Sequence, residues 1–230
     1  MLIKEFLFPK FCFGCSKFGN YICATCRLQL IFLEKQSCIY CQRASYMGFT
    51  HPQCIRQNGI DGLVSIFRYN NLLKKLIKTI KYRLATDILD ELVSLAKEEI
   101  VTKLDFFYNL NNSLLFQPIP LHKQRLRERG FNQAQLIINK LKQIYDISDC
   151  DLLERVKNTS SQAQIIDRKE RFLNIRGAFG ALGQTERLIT TKTFFLIDDV
   201  VTSGSTVKEA ARLLKRYKAA KVYVFSLAKG

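Results

Sequence analysis

Asp198 and Asp199 stand just ahead of Thr202, Ser203, Ser205 and Thr206, and this order of acids and hydroxyls is the stretch best suited to chemistry. Hydroxyls donate hydrogen bonds to phosphate oxygens, whereas ionised carboxylates only accept them and so suit sugar hydroxyls. Gly204 keeps the loop slim, and Val201 closes the apolar run that leads into it. The stretch lacks the Gly and Lys spacing of a Walker-type loop and the Gly-x-Gly-x-x-Gly of a dinucleotide site, which weighs against nucleotide hydrolysis. A Ser/Thr-capped turn beside a solvated acidic pair is the plainer alternative.

A second chemistry is written in cysteine. Cys12 and Cys15, then Cys23 and Cys26, form one quartet, Cys38 and Cys41 with His51 and Cys54 form another, and Cys150 alone stands outside. Two-residue gaps let both thiolates of a knuckle face one tetrahedral zinc, so a double zinc ribbon with structural ions is expected over residues 1–57. Crossed pairing between the quartets, or a single occupied site, stays open. Disulfides suit an exported chain better than this one, since Lys4 and Glu5 interrupt the apolar run of Met1–Phe8 and make it a poor signal peptide.

Arg125, Arg127 and Arg129 form a third candidate site. Guanidinium forks bind phosphate bidentately, so the run could contact a pyrophosphate or a nucleic-acid backbone. Helix-start charges bonded to Glu128 or water would be the ordinary reading. The whole chain carries 36 Lys and Arg against 20 Asp and Glu, a formal net charge of +16. Such a field attracts polyanions, nucleic acid first and an acidic membrane surface second, although a merely solvated basic composition would look the same.

These groups need elements to hold them. Phe194–Ile197 reads as a strand, and Val207, Ala210, Ala211, Leu214 and Tyr217 follow helical spacing, which puts the hydroxyl-rich loop at a helix start. Unpaired amides and the positive end of the helix dipole converge there. Lys221–Leu227 supplies a further strand, and a strand–helix–strand unit favours parallel pairing with ligands at the carboxyl ends. Upstream, the pattern predicts a strand over Leu63–Tyr69, a helix carrying Leu72, Leu73, Leu76, Ile77 and Ile80, and another over Asp87–Lys103. Ser113–Phe116 reads as a strand that Pro118 and Pro120 end or force to an edge. Leu152–Val156 and Gly177–Leu182 read as strands around a polar insertion with Arg168, Lys169, Arg171 and Arg176, either a hood over a reacting ribose or a solvent loop. The fold class is α/β, with a turn-rich joint at Asn58–Gly62 separating residues 1–57 from a second domain over 58–230.

The segment Phe194–Thr206 resembles the phosphoribosyl pyrophosphate loop of type I phosphoribosyltransferases, whose pattern is four apolar residues, two acids and a Thr-rich turn containing Gly. Three further stretches sharpen the likeness: Phe8-Pro9 ahead of Cys12 and Cys15, Pro118-Ile119-Pro120 through Arg125–Gln133, and Gln162 through Asn174–Phe179. Together they resemble the ComF family of competence proteins over most of the chain. The resemblance implies a parallel-sheet type I phosphoribosyltransferase-like domain preceded by a small zinc-ribbon module. It also implies phosphoribosyl pyrophosphate with Mg²⁺ at Asp198–Thr206, a pyrophosphate loop around Ile119–Lys123, and the handling of single-stranded DNA during natural transformation beside the DNA-uptake machinery.

At 47% hydrophobic content the chain can bury one good core and a small satellite, and it contains no run long enough to span a membrane. A cytoplasmic protein is expected, with the inner membrane face within reach of its charge. Two functions compete. One is a binding protein for phosphoribosyl pyrophosphate and single-stranded DNA; the other is an active phosphoribosyltransferase whose base or amine acceptor the sequence does not name. Phe131, Tyr69 and Tyr82 could stack on bases, but a core role suits each better.

Overall fold

The computed structural model describes residues 9–80, 85–111, 113–159, 173–183 and 186–230. Its strands are β1 (Gly62–Arg68), β2 (Leu114–Pro118), β3 (Ser148–Asp149), the antiparallel pair β4 (Leu153–Arg155) and β5 (Phe179–Ala181), then β6 (Thr193–Val201) and β7 (Lys221–Lys229). Five of them form one parallel sheet in the order β1-β7-β6-β2-β3. Runs such as Phe194–Ile197 and Val222–Phe225 are apolar at every position because both faces of the sheet are covered. Phe116, Phe195 and Tyr223 are register neighbours on three adjacent strands, and Phe107 closes on the last two with ring centroids 4.9 and 4.8 Å away. Phe194, Leu196, Val222 and Val224 point to the opposite core.

The helices are α1 (Ala24–Arg27), α2 (Asn71–Ile80), α3 (Ala85–Leu95), α4 (Lys97–Leu110), α5 (Lys123–Arg129), α6 (Gln133–Leu141), α7 (Glu186–Ile189) and α8 (Ser205–Arg216). The stripe of α2 is buried as its spacing predicts. The single helix expected over Asp87–Lys103 is instead two, broken at Ala96. There the backbone leaves helical geometry and the Ala96 N–H is shared between the Leu92 and Val93 carbonyls, 3.2 Å from each. The break lets Ile88, Leu89 and Leu92 on one side, and Ile100, Leu104 and Phe107 on the other, all reach the same core. Pro118, paired with Ile197, is the last residue of a strand that has neighbours on both sides, so the proline ends the strand as expected without forcing it to an edge. Ile119 N–H donates to the Ile197 carbonyl, so by alternation the missing proline donor faces the β3 side, beyond the last β3 pair at Phe116.

From β2 the chain runs through α5 and α6 to β3, and from β6 through α8 to β7, in opposite directions along the sheet. Ala134, Ile137, Ile138 and Leu141 of α6 join one core, whereas Val207, Ala210, Ala211 and Leu214 of α8 join the other. The carboxyl ends of β2 and β6 therefore border a topological switch point, where open α/β sheets leave a crevice.

The cysteine-rich segment lies against the outer edge of β1. Arg68 N–H donates to Ile31 O and Leu33 N–H to Ile66 O, while the Gln36 side-chain amide pairs with both Ser65 N–H and Ser65 O. Further along, Thr50 N–H donates to Asp61 O. On the helical side, the Glu91 carboxylate accepts the Tyr21 and Ile22 amides at 3.2 and 2.9 Å. Cys12, Tyr21, Ile22, Cys26 and Leu30 bury in the core that holds α2. No helix among the described residues is long and apolar enough to cross a membrane. The expected insertion with Gln162, Arg168, Lys169 and Arg171 lies outside the described residues, as do Met1–Phe8 and Tyr82.

Glu209 of α8 anchors the chain where it re-enters the described structure. Its buried carboxylate accepts the Gly177 amide at 2.7 Å and the Arg212 guanidinium at 2.8 and 2.6 Å. Burial works to raise its pKa, but Arg212 and the Gly177 amide outweigh it and hold the group below its ordinary value of 4.5. A depressed folded pKa means stability that is present above 4.5 and lost as pH falls through the lower folded value. Glu209→Gln is expected to lower thermal stability at neutral pH and to flatten its fall in acid, read as Tm against pH.

Candidate functional site

The loop that carries the acids and hydroxyls sits at the switch point. β6 ends at Val201, whose side chain is buried and whose carbonyl accepts the Gly230 amide at 3.0 Å, so Val201 serves as a wall. Gly204 takes a left-handed conformation with φ 72°, open to glycine without penalty, and α8 begins at Ser205. No side chain caps that helix. The Ser205 amide makes only a long contact with Ser203 Oγ, 3.4 Å, and the following amides of Thr206 and Val207 have no acceptor within the helix by geometry. These residues line an open pocket of about 50 Å³, several times what one water needs. Lys208 Nζ reaches the Ser203 carbonyl at 3.0 Å and adds positive charge beside the turn.

Asp198 and Asp199 are half-buried at the strand exit. Each carboxylate accepts the next amide, Asp199 N–H at 2.9 Å and Val200 N–H at 2.8 Å, which orients both side chains; of the two, Asp198 lines the pocket and Asp199 does not. Hard carboxylate oxygens held this way fit sugar hydroxyls or a hard dication such as Mg²⁺.

Across the crevice, the loop after β2 presents its arginines on a short helix. His122 caps α5 by accepting the Gln124 amide at Nδ1, 3.3 Å, and Gly130 ends it in a left-handed turn. Arg125 and Arg129 are one helical turn apart and half-buried; Arg127 points elsewhere and is exposed. Arg125 donates to the Thr159 carbonyl and Arg129 to Gln133 Oε1 at 3.0 Å. Burial, then repulsion from Arg129, lowers the Arg125 pKa.

Sequence reasoning missed Arg155. It lies on β4, is 7% exposed, and its Nε has no hydrogen-bond partner among the described residues. Burial first, then Arg125 and Arg129, pushes its pKa down to about 10, opposed by attraction to Asp198. Arg155 thus lies within electrostatic reach of two other guanidiniums and of one carboxylate. The signal was present, because strand alternation puts Arg155 on the buried face of Leu153. Phe131 and Tyr69 pack partly buried against the core, the role that suited them better.

The cysteines gather in sequence order. Cys12, Cys15, Cys23 and Cys26 bring their sulfurs within 4.8 Å of one another, and so do the ligand atoms of Cys38, Cys41, His51 and Cys54. Gly14 is required in the first knuckle, where a Cβ would collide with Cys26 Sγ. His51 Nε2 lies 3.0 Å from the Ala44 carbonyl, and donation there leaves Nδ1, 3.2 Å from Cys41 Sγ, as the lone pair for a metal. Burial works to raise the Cys12 pKa, but backbone amides of Cys23, Cys15 and Gly14 hold it to about 6; burial and neighbouring sulfurs push Cys26 up to about 12. Arg43 holds Cys41 to about 6, while burial and neighbouring sulfurs push Cys54 up to about 11. Such splitting is the cost of crowding thiolates, and a bound dication relieves it. Both groups could hold structural metal ions, with thiolate-rich donors that fit zinc. Cys150 is apart, its thiol raised to about 12 by burial.

Residues 127–230 match the phosphoribosyl transferase domain family, which covers Arg155 and the whole Asp198–Thr206 loop. Competence protein F of Haemophilus influenzae is 29% identical, with 92% of this chain and 98% of that protein covered. The chain resembles the ComF competence proteins over nine tenths of its length. Competence protein ComFC of Bacillus subtilis is 28% identical over 90% of this chain and 83% of its own, and the DNA utilization protein YhgH of Escherichia coli is 28% identical over 90% and 96%. The ComF likeness thus spans both the cysteine quartets and the parallel sheet.

Metal analysis of the purified chain is expected to find two zinc ions. His51→Ala should leave one, and binding should weaken as pH falls and thiolates protonate.

Proposed function

We propose that this chain binds phosphoribosyl pyrophosphate with Mg²⁺ at Asp198, Asp199 and the Val201–Thr206 turn, and handles single-stranded DNA in natural transformation. One observation carries the first half: a strand exit with two oriented acids runs through a left-handed glycine into an uncapped helix N-terminus at the switch point. The amides of that first turn and its hydroxyls would hold the 5-phosphate. The acids would take the ribose hydroxyls, and Mg²⁺ would neutralise pyrophosphate oxygens on the side of Arg125, Arg129 and Arg155. The second half follows the names of the relatives, which are competence and DNA utilization proteins, and the formal charge of +16. Nothing in that reading needs export, and a cytoplasmic location close to the uptake machinery at the inner membrane face goes with it.

A second reading, transfer of the phosphoribosyl group to a base or amine, is favoured by Arg155. A buried arginine within electrostatic reach of Asp198 and Arg125 would stabilise pyrophosphate as it departs.

Calorimetry with phosphoribosyl pyrophosphate and Mg²⁺ is expected to give saturable heat that Asp198→Asn with Asp199→Asn abolishes. Unchanged heat would reject the site, and pyrophosphate release on adding a panel of bases would select the transferase reading. Single-strand affinity is expected to fall linearly in log salt, and the slope to shrink when Arg125, Arg127 and Arg129 are replaced together by Gln. Salt-independent or absent binding would leave the positive charge without a nucleic-acid role.

A further inference from the structure

The second cysteine quartet does not stand apart from the phosphate loop. Ile39 lies between its ligands Cys38 and Cys41, is 1% exposed, and packs in the core that holds Val201 and Val207 on either side of the turn. A Cβ on Gly204 would lie 3.1 Å from Ile39 Cδ1, so the left-handed glycine is seated directly on that side chain. Next to it, the Tyr40 hydroxyl accepts the Ile60 amide at 2.9 Å and its ring lies 5.2 Å from Lys208 Nζ, the same ammonium that reaches the Ser203 carbonyl. Ser37 completes the contact by receiving Lys229, the register partner of Val201.

Resting on the reading of the Asp198–Thr206 turn as a phosphate site, we propose that the knuckle Ser37–Cys41 is the wall of that turn. Metal held by Cys38, Cys41, His51 and Cys54 then sets the turn's order and its affinity for the ligand, with Ile39 and Tyr40 as positioning residues. Glycine has more conformational freedom to lose than any other residue, so a turn built on Gly204 binds tightly only where something else has already ordered it. The knuckle is too short to hold its own shape by burial. Its backbone contacts are Cys38 N–H to Arg43 O and Gln42 N–H to Cys38 O, with Gln42 itself at φ 61°. A tetrahedral ion tying Cys38 and Cys41 to His51 and Cys54 supplies the missing constraint.

The test uses the full-length, zinc-loaded chain and two readouts, amide hydrogen exchange over residues 208–210, whose amides bond back to the carbonyls of Gly204 and the first turn of α8, and calorimetry with phosphoribosyl pyrophosphate and Mg²⁺. In Ile39→Ala, with metal content unchanged and exchange over Phe194–Ile197 unchanged, those amides should exchange about tenfold faster and the ligand bind about tenfold more weakly. His51→Ala, having lost one metal, should show the same increase in exchange. Should Ile39→Ala fail to fold, a smaller shift in the same direction is expected of Ile39→Val. Unchanged exchange at 208–210 in the folded variants overturns the coupling even if the wild type binds the ligand. No heat in the wild type, with exchange still dependent on Ile39 and metal, overturns the ligand reading and leaves the coupling standing.

Discussion

The constraint on which the rest of the molecule hangs is the reversal of direction between β2 and β6. Parallel strands need crossover connections, and here the two crossovers leave toward opposite edges of the sheet and cover opposite faces. No helix can fill the gap above both strand ends. At that gap stand the acids that end β6 and the first turn of α8, while α5 with its arginines lies on the connection that follows β2. The aromatic row Phe116, Phe195 and Tyr223, closed by Phe107, holds β2, β6 and β7 in register and so fixes the width of the crevice. Truncating one such ring to alanine costs about 3–5 kcal/mol, a large share of a domain's net stability.

A second constraint follows from the first. A sheet that ends in β1 exposes a row of unpaired backbone groups, a liability for any soluble fold. The cysteine-rich segment satisfies that row with Ile31, Leu33, Thr50 and the side chain of Gln36, so the small module closes the large one. Burial alone is a weak support for so few residues, whereas structural zinc in small peptides is worth roughly 10–16 kcal/mol. The division expected near residue 57 is therefore proposed as a boundary of sequence character, with hydrogen bonds and apolar contacts crossing it.

Arg155 shows how electrostatics is distributed across elements distant in sequence. Arg125 and Arg129 come from the loop after β2, Arg155 from β4 and Asp198 from β6, yet the proton affinity of Arg155 responds to all three of the others. A buried guanidinium such as that of Arg155, whose Nε has no partner among the described residues, is costly unless an anion completes it.

Local pattern was enough for much of this. The apolar run, acids and hydroxyls of 194–206 fixed a strand, a turn and a helix start because each depends on neighbours in the chain, and two-residue cysteine gaps fixed the knuckles for the same reason. The stripe of α2 and the strands at β1, β6 and β7 were legible through their periodicity. The break at Ala96 was not, since it is decided by which partners lie alongside. Nor could spacing show that Arg127 turns away while Arg155 turns in, or that Ile39 sits under Gly204. By itself the sequence determined the chemical inventory and the elements that carry it, because hydrogen bonding within a turn, a helix or a knuckle is local. Only the tertiary structure decided which of those groups meet, because that is set by strand order and by packing between residues far apart in the chain.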